Sequence, residues 1–265
     1  MRALRVTGLV LAMALVVSGC GLTDARNAAL AEARVKPLDM ANSLRPGLVG
    51  MPDYPATGWG QSALAPTSPG SVQTRLQEIG LQASDLASGL TVKTEPDGTS
   101  LGIPTLDFCA ANYPSESLRT AREQRAVYDK QGSFAGLSTE VVLYKTAAAA
   151  QQALREATAA RIACPVGKPV KTYDGHTIVF AFHPAPGPSN TPLVPADSRL
   201  IIHTTMKVDG QPQTAFLVYQ VQGRVLAALY AVDATGKPMA QSALDLLYGF
   251  AGDIATRLKS IAPTF

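Results

Sequence analysis

The pattern of apolar and polar positions divides the chain into three stretches. From residue 9 to residue 17 every position is apolar, directly behind Arg2 and Arg5. Residues 24–36 are alanine-rich, with a thin apolar face suited to a short helix, and residues 37–69 are broken repeatedly by proline and glycine. From residue 71 onward, runs with helical spacing alternate with runs of period two, the pattern of a folded domain.

Within that domain, Val72, Leu76 and Ile79 share one helix face, with Ser71 as the expected N-cap and Gly80 as the stop. A short strand is expected over 92–94, closed by the turn Pro96-Asp97-Gly98, and residues 105–108 are strand-like. Strands follow at 122–129 and 139–145. In the second, Val141 and Leu143 alternate with Val142 and Tyr144, so both faces are largely apolar. Thr146 is placed to cap a helix over 147–163 that turns Leu154 and Ile162 inward and Arg155, Glu156 and Arg161 to solvent; Pro165 ends it.

Residues 177–183 form another expected strand. Residues 184–195 contain five prolines (Pro184, Pro186, Pro188, Pro192 and Pro195) and are expected as an exposed loop, the place to look for a cleft. Strands at 200–208, 214–221 and 224–232 form a meander, turning near Asp209-Gly210 and at Gln222-Gly223. Leu244, Leu247, Ala251, Ile254 and Leu258 make a continuous stripe on a helix over 239–260, where Asp253 and Arg257 are spaced to pair. The fold class is α+β. It is a mainly antiparallel sheet of about six strands, with two long helices packed on one face.

The first nineteen residues combine a basic start, a nine-residue apolar core and a small-residue flank, the parts of a cleaved signal. Ser18-Gly19-Cys20 behind that core resembles the lipobox of bacterial lipoproteins. The resemblance implies cleavage after residue 19, lipidation of the Cys20 thiol and attachment to the outer surface of the cell membrane. Two acyl chains suffice for stable anchoring, at about 0.8 kcal/mol per buried methylene. A membrane-spanning helix over 6–23 is the competing reading, but Gly8, Ser18, Gly19 and Gly21 interrupt it. An ordinary cleaved signal with a chance cysteine is the other. Of the 23 basic residues, Arg2 and Arg5 leave with the signal, so 21 remain against 20 acidic ones. Such a near-neutral chain lacks the basic footprint of a nucleic-acid binder.

Residues 20–70 form an anchored flexible tether, whose r.m.s. reach as a coil is roughly 35–45 Å. Trp59, with Met51, Tyr54 and Leu64 nearby, either docks back on the domain or meets a partner. Residues 71–265 are long enough for one domain with its own core.

Once exported, Cys109 and Cys164 are most simply a disulfide, stabilising the domain by about 4 kcal/mol in the chain-entropy model. A redox pair lacks the Cys-x-x-Cys spacing, and two thiolates without nearby histidines make a poor metal site. The segments Leu106-Asp107-Phe108-Cys109, Tyr113-Pro114-Ser115-Glu116 and Cys164-Pro165 resemble actinobacterial envelope lipoproteins. More loosely, residues 71–262 resemble the PknH-type extracytoplasmic sensor domains, which carry two bridges where this chain has one candidate. That resemblance implies helices on an antiparallel sheet and ligand sensing at the cell surface. It transfers no site residue.

No hydrolase, metalloprotease or P-loop motif occurs. His176 and His183 are expected on opposite faces of one strand, which opposes a shared metal site, and His203 reads as a sheet histidine. Tyr219 with Tyr230, and Phe180 with Phe182, read as sheet packing rather than a ligand platform. The expectation is a non-catalytic, membrane-anchored, extracytoplasmic binding or sensing module without cofactor or metal. Its ligand, a small envelope molecule or a protein partner, is unidentified. An envelope hydrolase without a standard motif and an adaptor in an envelope complex are the alternatives.

Overall fold

The computed structural model describes residues 69–109, 111–171, 176–185 and 191–265. The signal, Cys20, the tether and Trp59 lie outside the described residues. The chain begins with α1 (Pro69–Ile79) and strands β1 (Thr91–Thr94), β2 (Arg119–Tyr128) and β3 (Phe134–Tyr144). Helix α2 (Ala147–Ala163) follows, then β4 (Pro169–Lys171), β5 (Thr177–His183), β6 (Arg199–Val208), β7 (Gln211–Gln222) and β8 (Val225–Asp233). Helix α3 (Gln241–Ile261) ends the domain.

All eight strands form one antiparallel sheet in the order β1-β2-β3-β8-β7-β6-β5-β4. Two meanders therefore meet at the centre, where β3 pairs with β8. Helix α2 carries the chain from central β3 to the far edge at β4. Among the described residues there are eight strands, where about six were expected. The three-residue β4 is too short for an alternating pattern to mark it, and the strand-like residues 105–108 are irregular chain instead.

The two long helices lie on opposite faces rather than on one. One apolar core joins α2 (Ala150, Ala153, Leu154, Ala157) to Val142, Phe180, Ile202, Leu217 and Tyr219. The other joins α1 (Leu76, Ile79) and α3 (Leu244, Leu247, Ala251, Ile254, Leu258) to Val141, Leu143, Phe216, Val218 and Leu229. The physical reason is that β3, β7 and β8 are buried almost throughout. A strand apolar on both faces needs a cover on both.

Local chemistry sets the ends of these elements. The Thr146 hydroxyl accepts from the Ala149 amide at 3.1 Å, capping α2 as expected. Ile162 is 73 % exposed and not inward, because the buried residues of α2 (Ala149, Ala150, Ala153, Leu154, Ala157, Ala160) run along the other side of the helix. Asp209 and Gly210, both with positive φ, make the two-residue turn of the β6–β7 hairpin. The next turn is Gly223-Arg224, one residue later than expected, because Gln222 pairs with Val225. Arg257 of α3 donates to the Ile79 and Gly80 carbonyls and pairs with Asp85 at 2.9 Å, tying α3 to the end of α1.

Candidate functional site

Two regions concentrate polar chemistry. The first lies on the α2 face of β2 and β3, beyond the end of the apolar core. Here the long connection from β1 to β2 folds over the sheet. Irregular chain cannot satisfy its own backbone, so buried side chains must do so. Arg122, on β2, pairs with Glu140 of β3 and donates to the carbonyls of Asp97 (3.0 Å) and Gly98 (3.1 Å). Arg119 donates to the carbonyls of Leu101 and Ile103, both at 2.7 Å, and pairs with Glu116 at 3.0 Å. Glu116 in turn accepts the amides of Thr105 (2.8 Å) and Leu106 (3.1 Å). Glu140 also accepts from the hydroxyls of Thr105 (2.7 Å) and Tyr230 (3.1 Å).

All four of these charged side chains are buried. Burial pushes the Glu116 carboxyl above its ordinary range, against the opposing pull of Arg119 and the two amides. Burial likewise pushes the hydroxyls of Tyr113, Tyr144, Tyr219 and Tyr230 upward, so they stay neutral. Tyr219 and Tyr230 meet edge to face at 5.8 Å and Phe108 stacks on Tyr219 at 6.4 Å, so this aromatic group is packing, as expected. The Tyr144 hydroxyl has no hydrogen-bond partner among the described residues.

Cys109 and Cys164 are bridged, with their Cα atoms 5.0 Å apart. Cys109 holds a positive φ of 62°, a left-handed conformation unfavourable for a residue with a side chain. The bridge thus fastens this loop to the end of α2. Glu156 of α2, expected in solvent, adds a second tie by accepting the Ser115 amide (3.1 Å) and hydroxyl (2.5 Å).

The second region is on the opposite face, around His203. The register of β5 on β6 sets His183 directly opposite His203, with ring centroids 5.3 Å apart. His203 is buried, and its Nε2 accepts the Met239 amide at 3.1 Å. An amide can only donate, so Nδ1 carries the ring proton and faces the Pro184 carbonyl at 3.4 Å. Burial first, and His183 in addition, holds the imidazole below its ordinary pKa, while the Pro184 carbonyl acts the other way. The His183 Nε2 meets the Thr205 hydroxyl at 2.9 Å. His176 is elsewhere: it precedes β5 and contacts Asp209, whose carboxyl that contact holds low.

The loop beyond Pro184 is only partly exposed. Leu193 and Val194 are buried in the α3 core, contrary to the expectation of a wholly exposed loop. Gln220 explains this: it accepts the Val194 amide at 3.2 Å and donates to the Ala251 carbonyl at 2.9 Å, bridging loop and helix. Lys259 donates to the Leu193 carbonyl at 3.1 Å. The loop crosses α3 at Gly252, where a Cβ would lie 2.5 Å from the Thr191 methyl. Residues 191–195 are thus a strap clamped on α3.

Among the described residues, no group of three or more metal-ligating side chains converges, and no helix is long and apolar enough to cross a membrane. The sequence reading did not pick out Glu116, Arg119, Arg122 or Glu140, since no motif or period marks their convergence. It also missed the His183–His203 pair, which only the strand register creates.

No family model matches the chain, and no curated protein matches it. Among solved structures, the extracellular domain of PknH from Mycobacterium tuberculosis is loosely similar, with a TM-score of 0.43 and 13 % identity. That likeness covers 69 % of this chain and 96 % of the other.

Proposed function

We propose that this protein is a non-catalytic binding or sensing module outside the cytoplasmic membrane, held there by a lipid on Cys20. The observation that carries the reading is the Cys109–Cys164 bridge, which fastens the irregular loop to α2 and belongs to an oxidising compartment. It agrees with a chain that opens on a signal-like core and a lipobox-like Cys20.

The buried polar groups of this region are committed to internal hydrogen bonds, which weighs against their use in catalysis. Both oxygens of Glu116 and one of Glu140 hold the loop, and the other Glu140 oxygen accepts from Tyr230 of β8. Ser115 has a carboxylate within reach, but its amide and hydroxyl together rest on Glu156 and the residue is fully buried. That arrangement is a cap, not an accessible nucleophile.

The test is membrane fractionation of wild type and Cys20→Ala, with intact-mass analysis of the membrane form. Wild type should carry the mass of a lipid on a chain starting at Cys20, and Cys20→Ala should leave the membrane fraction. Unchanged fractionation of the variant would reject the anchor. Native purification followed by mass spectrometry of copurified small molecules then examines the binding role.

A further inference from the structure

We propose that the proton is itself a ligand of this domain, taken up at His203, and that its uptake releases the two segments the imidazole joins. The two nitrogens of the His203 ring meet two different segments. On the Nε2 side stands the Met239 amide, at the approach to α3; on the Nδ1 side stands the Pro184 carbonyl, at the start of the loop that becomes the strap. A proton on Nε2 converts the acceptor into a donor facing another donor. The Met239 hydrogen bond then has to break.

Of the groups around the ring, only the Pro184 carbonyl favours the new charge, and burial outweighs it. From β5 it meets His183, which also disfavours a charged His203, and from β7 it meets Phe216 edge-on at 6.4 Å. Tyr248 of α3 stands behind Phe216, at 5.2 Å. On its own strand and face lie Thr205, which bonds His183, and two cations, Arg199 and Lys207. None of these neighbours is a carboxylate. Burial of the ring acts in the same direction.

The sign follows from linkage. His203 is held below its ordinary value, so the closed arrangement is fully favoured above the ordinary histidine pKa of about 6.5. Its advantage is lost as the pH falls from there toward the depressed value, where the opened form binds more protons. Opening in that window grows by up to about tenfold per pH unit. The inference deepens the sensing reading above by naming the stimulus, but it is tested in solution, without a membrane.

The experiment uses the mature chain from residue 20 with Cys20→Ser, observed by imidazole NMR titration and by amide hydrogen exchange corrected for intrinsic rate. His203 should titrate below about 6.5. Exchange at Met239 and the first turn of α3 should accelerate with acid across the window, while Ala251 and Leu258 stay protected. His203→Gln, neutral at every pH, should abolish that acceleration. Titration at or above the ordinary value, pH-independent exchange at Met239, or an unchanged acid response in His203→Gln would each overturn the proposal. If His203→Gln does not fold, His183→Gln decides: removing the neighbouring imidazole, which lowers the His203 pKa, should raise the His203 midpoint and move the onset of opening to higher pH. An unmoved midpoint would sink the coupling. Failure here leaves the Cys20 fractionation result standing, and the reverse also holds.

Discussion

The two covers on one face of the sheet hold on by different physics. Over the part of the sheet nearer β5 and β6, α2 lies down with alanines and Leu154 against Phe180, Ile202 and Leu217. A helix satisfies its own backbone, so apolar contact is enough. Over β2 and β3, the connection from β1 has no such internal ladder. Its carbonyls at Asp97, Gly98, Leu101 and Ile103 are met by Arg122 and Arg119, and its amides at Thr105 and Leu106 by Glu116. The lesson is that buried charge here stands in for secondary structure. The disulfide sits at the seam between the two covers.

Three changes should separate the halves, the ionic one first. Arg122→Met strands the Glu140 carboxylate in the interior and orphans two carbonyls; we expect a loss of about 3–5 kcal/mol in urea unfolding. Adding Glu140→Gln should recover part of that loss, because the uncompensated charge is gone. A single-variant loss below about 1 kcal/mol would mean that the ion pair does not hold the loop.

Removing the bridge with Cys109→Ser and Cys164→Ser comes next, at about 2–4 kcal/mol. Hydrogen exchange of this variant should rise across the loop before it rises in the middle of α2, and intact mass of the wild type should show the Cys109 and Cys164 thiols only after reduction. Equal loosening of both covers would erase the distinction drawn here. The smallest effect belongs to Thr146→Ala, which removes the α2 cap. It should cost about 1 kcal/mol and leave the Thr105 and Leu106 amides as protected as in wild type.

What local pattern could show, the sequence showed well. The bounds of α2, the cap at Thr146, the stripe Leu244–Leu247–Ala251–Ile254–Leu258 on α3, and the run of strands from β5 to β8 all follow from periodicity and turn residues near in sequence. The pairing of Cys109 with Cys164 followed from arithmetic, since setting aside the lipobox-like Cys20 leaves only two cysteines. Even the two-sided cover was latent in β3, whose apolar residues occupy both faces; placing both long helices on one face overlooked what that pattern required.

Tertiary structure alone decided the rest. Nothing near in sequence marks Glu116, Arg119, Arg122 and Glu140 as interior charge; they become so only when a loop from β1 closes over them. Leu193 and Val194 sit in a proline-rich stretch that looks exposed until Gln220, Lys259 and the missing Cβ of Gly252 let it press on α3. His183 and His203 are twenty residues apart and face each other only because the β5–β6 register sets them opposite. The physical reason is the same in each case. Periodicity records what a residue's own element needs, whereas these contacts depend on which element is folded against it.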